Sequence, residues 1–185
     1  MFFVFVSFLL AGQYENTNKE LIFKTQKTVI AELSGAKKTD DGEVIAHRST
    51  AEKRALTRKY LSSLIEGSGF EASIQEYLMP NVNPLVDMLF NPFQGGNVFT
   101  TIPATTGSEE YVIIGAHFDT ELNCPGALDN GTGIALIYEV FYELSKLEQR
   151  QKNVIMVFFD QEEEDLIGSQ AFVRYVQANG LKVHS

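Results

Sequence analysis

The chain has 185 residues and a formal net charge of −9 at pH 7, from 24 acidic against 15 basic side chains. That balance argues against a nucleic-acid-binding protein, whose surface needs clustered Lys and Arg, and gives no reason to expect an anionic membrane as partner. With 44% hydrophobic and 21% charged residues the composition is globular. A single cysteine, Cys124, can form no internal disulfide.

The chain opens on an apolar run, "MFFVFVSFLL", that ends in the small residues Ala11 and Gly12. It is too short to span a bilayer and has the length of a signal-peptide apolar region. Residues 1–12 are therefore expected to be a signal peptide and the protein to be exported, periplasmic or secreted. A positively charged start is missing, and Gln13 stands where a lipid-bearing Cys would be needed. The competing reading is a buried first strand or helix start.

Residues 13–49 read as one helix and a loop. Leu21, Ile22, Val29, Ile30 and Leu33 recur at helical spacing over residues 18–34, with Gly35 as the stop. The polar stretch "SGAKKTDDGEVIAHRST" follows as the loop. Residues 50–185 begin with Thr50 capping a second helix, whose Ala55, Leu56, Tyr60, Leu61, Leu64 and Ile65 share one face before Gly67 and Gly69. "FEASIQEYLMP" alternates like a strand, Pro80 opens a loop rich in Asn, Pro and Gly to about residue 96, and "GNVFTTIPA" reads as another strand.

From Glu110 the pattern sharpens. "YVIIGAH" is a short apolar run suited to a fully buried strand. Ile134, Ile137, Val140, Phe141, Leu144 and Leu147 then mark a helix. "NVIMVFFD" is a second buried strand, and "LIGSQAFVRYVQANG" a second helix closed by Gly180. Strand, helix, strand and helix with short joints predict an α/β fold, a sheet covered by helices. Open sheets of this kind place their binding residues where strands end.

Three groups of potential ligands lie at those joints. In "GAHFDT", His117 and Asp119 are two apart, so in an extended segment they point to the same side. A carboxylate beside an imidazole fixes its tautomer and makes it a better metal ligand; a plain surface pair is the competing reading. In "PGALDNGTG", Asp129 sits among glycines that permit tight turns; a helix cap or an ordinary turn would explain it equally. In "VFFDQEEED", Glu162, Glu163 and Glu164 follow a buried strand. Clustered carboxylates disfavour one another's ionised forms, which a solvated loop tip or a divalent metal would relieve. Histidine with carboxylates suits zinc, and bridging carboxylates suit two metals about 3.5–4 Å apart.

In order and spacing, "VIIGAHFDT", "PGALDNGTG" and "VFFDQEEEDLIGS" resemble three motifs of the zinc aminopeptidases that act through a co-catalytic metal pair. That family also includes carboxypeptidase relatives and the zinc glutaminyl cyclases. The resemblance covers roughly residues 94–173. It implies a three-layer αβα fold with a central mixed, largely parallel sheet. His117 would bind one metal, and Asp119 would orient it from behind. Asp129 would bridge both metals beside a cis peptide to Asn130. The "LIGS" register makes Glu162 the general base and Glu163 the ligand of the second metal, with Glu164 a solvent-facing bystander.

The implied chemistry is hydrolysis of an N-terminal peptide or aminoacyl bond with zinc, two ions in the complete enzyme. Two positions depart from the family pattern: Leu128 stands where many relatives carry Asp, and Asp165 where Gly is usual. Relatives also supply two more ligands, an Asp on the next strand and a His later, whereas the chain reaches residue 185 with only His47, His117 and His184. The chain is thus expected to be the N-terminal portion of a metallopeptidase, a fragment or one completed by a partner chain, lacking the last strands of the sheet and poorly active alone. A glutaminyl cyclase on the same scaffold and a non-catalytic binding domain are the alternatives.

Overall fold

The computed structural model describes residues 19–79 and 93–184. The apolar run at 1–12 and most of the Asn/Pro/Gly-rich loop from Pro80 lie outside them. Helix α1 occupies residues 19–33. Helix α2, Ala51–Gly67, begins as the sequence predicts, with the Thr50 hydroxyl accepting from the Lys53 amide at 3.3 Å. Strands β1, Ser73–Met79, and β2, Phe93–Ile102, follow, then β3, Glu110–His117. A wide helical turn, Ala127–Gly131, runs directly into α3, Thr132–Ser145. Strand β4, Asn153–Phe159, helix α4, Ile167–Ala178, and the short strand β5, Lys182–Val183, complete the described chain.

The five strands form one mixed sheet in the order β1-β2-β4-β3-β5. Strand β2 is antiparallel to both β1 and β4, whereas β3 is parallel to β4 and to β5. The parallel half carries all three sequence motifs. Strand β4 explains why six apolar residues run without a break: both of its faces are covered. Val154, Met156 and Phe158 pack with Leu33 of α1, Leu61 and Ile65 of α2, and Ile134 and Phe141 of α3. Ile155, Val157 and Phe159 face the other way, onto Phe172 and Tyr175 of α4. Helices on both faces make the α/β sandwich of three layers that the sequence predicts.

Two boundaries differ from the sequence reading. Helix α3 stops at Ser145, and Leu147, although it has the right spacing, lies beyond its end half exposed. Strand β2 starts at Phe93, inside a segment whose Asn, Pro and Gly content reads as loop, because β1 pairs along it from Met79↔Phe93 to Ser73↔Phe99. Among the described residues no helix is long and apolar enough to cross a membrane.

The polar stretch from Ser34 to Thr50 is the largest departure. It contains Arg48, whose side chain is fully buried. Its guanidinium donates to four carbonyls: those of Leu33 and Phe118, Pro125 at 2.8 Å and Gly126 at 2.9 Å. Its backbone amide donates to the Thr120 hydroxyl at 3.0 Å. Burial pulls the Arg48 pKa down to about 10, although Asp119 acts in the opposite sense. A planar fork of five donors suits this task, since several carbonyls converge on one buried point. Replacing Arg48 by Ala strands those carbonyls in the interior and is expected to cost at least ~3 kcal/mol. Urea unfolding of the two proteins measures it, and a difference under about 1 kcal/mol would show the clamp to be dispensable.

Candidate metal centre

The site is built by the register of β3 on β4. His117 stands opposite Phe159, and the Phe118 amide donates to the Phe159 carbonyl at 2.8 Å. The two strands therefore end flush, and the segments that leave them, 118–126 and 160–166, start side by side. One brings His117 and Asp119; the other brings Glu162 to Glu164.

Asp119 joins them. It is buried, and its two carboxylate oxygens accept from successive backbone amides, Glu162 at 2.9 Å and Glu163 at 3.1 Å. Charge-assisted bonds of this kind are stronger than neutral ones, so Asp119 fixes the backbone from which both glutamates project. Its Oδ1 also lies 3.5 Å from His117 Nδ1, which is buried and makes no hydrogen bond.

The other ring nitrogen, His117 Nε2, faces the open side, 2.9 Å from Asp129 Oδ1 and 3.7 Å from Glu162 Oε2. Asp129 reaches it from the turn before α3, and its peptide bond to Asn130 is cis. Helix capping does not explain Asp129, because the Asn130 side chain does that, accepting from the Gly133 amide at 3.1 Å. The turn is tethered through Gly126, whose carbonyl Arg48 holds. Gly126 has φ of 61°, and a Cβ there would overlap the Arg48 guanidinium.

Among the described residues, His117, Glu162 and Glu163 present ligand atoms that all lie within 4.8 Å of one another. Tetrahedral zinc spaces its ligands roughly 3.3 Å apart, and imidazole with carboxylates is a donor set it accepts. These residues fit that group. Their electrostatics point the same way. Burial alone would lower the His117 pKa, but Asp119, Glu162 and Asp129 together raise it. Glu163 is pushed up by burial and then by Asp129, with His117 opposing. The donor atoms crowd where negative charge needs a cation.

The bystanders fall as follows. Glu164, expected to face solvent, is 42% exposed but tied back: its Oε2 accepts from Gln161 Nε2 at 2.8 Å, and its Oε1 lies 4.0 Å from Arg54 Nη1. Leu128, with an exposed side chain, makes no ligand. Asp165 has φ of 64°, the left-handed backbone that suits the glycine usual at that position in the family. His184 lies 3.7 Å from Glu110 at the opposite end of β3 from His117, and His47 bonds to Ser49, so neither joins the site.

Sequence reasoning missed the residues that hold the glutamate segment from behind. Asp160 is fully buried and pairs with Arg54 at 2.8 Å and Arg58 at 2.9 Å, while accepting from the Gly96 amide at 3.1 Å. Burial pushes its carboxyl up to about 6, against the pull of Arg54, Gly96 and Arg58. Asn97 accepts from the Asp160 amide at 2.9 Å and donates to the Gly168 carbonyl at 2.8 Å, binding both ends of the segment. Gly168 has no room for a side chain, since a Cβ would overlap the Asp160 carbonyl. Arg54 and Arg58, four apart on one face of a predicted helix, were the available signal for a buried acid.

Residues 97–184 match the sequence pattern described as "Peptidase family M28". A vacuolar membrane protease of Candida tropicalis is 32% identical over 83 residues, covering 45% of this chain and 9% of its own. A probable lipoprotein aminopeptidase of Mycobacterium tuberculosis is 35% identical over 78 residues, covering 42% and 16%. The chain thus spans less than a fifth of either relative. In three dimensions it resembles a zinc aminopeptidase of Bacillus subtilis (TM-score 0.67, 13% identity, 82% of this chain and 64% of that one). It also resembles a glutaminyl cyclase of Porphyromonas gingivalis (TM-score 0.59, 17% identity, 88% and 55%). At those identities the likeness concerns the fold, whereas the matched sequence pattern contains every motif residue from His117 to Glu163. The match to peptidase family M28 thus covers residues 97–184, just under half of the chain.

Proposed function

We propose that this chain carries the N-terminal part of a zinc-dependent aminopeptidase that hydrolyses the first peptide bond of peptide or aminoacyl substrates. The observation that carries the reading is the convergence of His117, Glu162 and Glu163, from the ends of two parallel strands, around one small volume. The match of residues 97–184 to a peptidase family and the aminopeptidase among the similar proteins support it.

In this reading His117, Asp129 and Glu163 would hold the zinc, two ions in the complete enzyme. Bound zinc supplies Lewis acidity and a water of lowered pKa. Glu162 is the general base: it takes a proton on its carboxylate and returns it to the leaving amine. Its side chain is 36% exposed and remains within 3.7 Å of His117, so it is both near the metal and open to substrate. Asp119 does no proton chemistry; it aligns the Glu162 and Glu163 amides, which sets where both side chains begin. An Asp and a His from outside the described residues would complete the two metal shells; His47 and His184 face Ser49 and Glu110 instead. The apolar run at 1–12 supports export as part of the same reading.

Three outcomes test the reading. The chain itself is expected to bind zinc weakly and to cleave an aminoacyl-anilide hardly at all; efficient cleavage that stops with chelator would overturn the two missing ligands. In the full-length gene product, Glu162→Gln should keep its zinc by elemental analysis yet lose about 10²- to 10⁴-fold in kcat. There, Glu163→Ala should lose metal along with activity. If Glu164→Gln instead proved the inactive variant with zinc retained, the register of the glutamates would shift by one.

A further inference from the structure

We infer that Gln161, which touches none of the candidate ligands, is a positioning residue for Glu162 and Glu163, held by an amide tether to Tyr77 and Glu164. The inference rests on the reading of a zinc site held by His117, Asp129 and Glu163 with Glu162 as general base.

The chain leaves β4 at Phe159 along the strand axis and must turn back within two residues for Glu162 to reach His117. The turn falls at Gln161, whose φ is 54°. That left-handed backbone brings Cβ too close to the carbonyl of an L-residue; glycine takes it freely, and asparagine or aspartate routinely, but glutamine seldom does. Something must hold Gln161 there. It is fully buried, and both ends of its amide are engaged. Oε1 accepts from the Tyr77 hydroxyl at 3.1 Å, and Nε2 donates to Glu164 Oε2 at 2.8 Å. Tyr77 also lies 3.3 Å from the Asp160 carbonyl, so one hydroxyl spans the peptide on which the turn pivots.

The neighbouring strand makes room for this arrangement. A Cβ on Gly95 of β2 would overlap the Tyr77 hydroxyl and sit 2.5 Å from Gln161 Oε1. Burying a primary amide here, where an apolar side chain would fill the same space, is unfavourable unless its hydrogen bonds are made. They are made, and each falls on a group whose place matters to the turn. Upstream, Asp160 is fixed by Arg54, Arg58 and the Gly96 amide. Downstream, the Ile167 amide returns to the Gln161 carbonyl at 3.0 Å. The glutamate pair is thus gripped from two sides: Asp119 takes its amides from β3, and the Gln161 side chain holds the preceding turn from β1. Release of the second grip would let the backbone at 161 relax out of the left-handed region and carry both carboxylates away from His117.

Titration of the purified chain with Zn²⁺ by calorimetry decides the matter, at a temperature where circular dichroism shows every variant folded. Asparagine accepts the left-handed backbone but is one methylene too short to reach both Tyr77 and Glu164. Gln161→Asn is therefore expected to bind Zn²⁺ about ten- to a hundred-fold more weakly, the range seen when groups behind a ligand are removed. Tyr77→Phe deletes only the hydroxyl and should weaken binding about ten-fold; it decides the question if Gln161→Asn fails to fold. A purely structural role would lower the melting temperature of these variants and leave the affinity of the folded molecules unchanged. Affinity equal to that of the unaltered chain in either folded variant overturns the tether. No Zn²⁺ uptake by the unaltered chain, with His117→Ala indistinguishable from it, overturns the metal reading itself and the inference with it.

Discussion

The parallel pairing of β3 with β4 is the constraint on which everything else turns. Side chains alternate across a strand, so a slip of one residue would exchange the two faces of β4. Because Val154, Met156 and Phe158 pack on one layer of helices and Ile155, Val157 and Phe159 on the other, such a slip would also mismatch two packed cores. The register is therefore held by hydrophobic burial, and the same register delivers His117 and the glutamate segment to one place. Core packing here does the positioning that a metal site needs before any ligand is considered.

Flush strand ends alone would leave a crowd of carboxylates on irregular backbone. The protein answers with polar groups buried for the sake of that backbone. Asp119 spends its charge on two peptide amides, and Asn97 spans the glutamate segment from Asp160 to Gly168. Arg48 does the equivalent on the other side, tying the 118–126 segment to the end of α1. Buried polar groups are tolerated when their hydrogen bonds are made, and here most of the partners are main-chain atoms of the two segments that carry the site. Rigid support of this sort separates a set of acids that can grip one ion from acids that merely share a surface.

Much of this was legible in the chain. The alternation of apolar strands and helical periods from Glu110 onward marked the sheet and its covering helices, because burial on two faces leaves an unmistakable run such as Val154 to Phe159. His117, Asp129 and the glutamates stood out because imidazole and carboxylates recur at successive joints, and the fold does bring Asp129 to 2.9 Å and Glu162 to 3.7 Å from His117. The supports were not. Arg48 lies in a stretch so polar that it reads as solvated loop, and its partners at Phe118 and Gly126 are 70 and 78 residues away. Asp160 and Gln161 look like the first members of an acidic run, and only the approach of α2 and β1 makes them interior. Local pattern records which face a side chain turns to a core; it does not record which distant backbone a polar side chain will complete.

Arg48, Arg54, Arg58 and Tyr77 have one more consequence. All four precede residue 97, where the recognisable family segment begins, yet each bonds or ion-pairs to residues within that segment. The unit that evolution can copy by sequence likeness is thus smaller than the unit that can stand as a folded object. Excised at its apparent border, the matched segment would carry an acid stripped of both its cations and loop carbonyls stripped of their donor. The N-terminal helices are better regarded as the frame of the matched segment than as a neighbour to it.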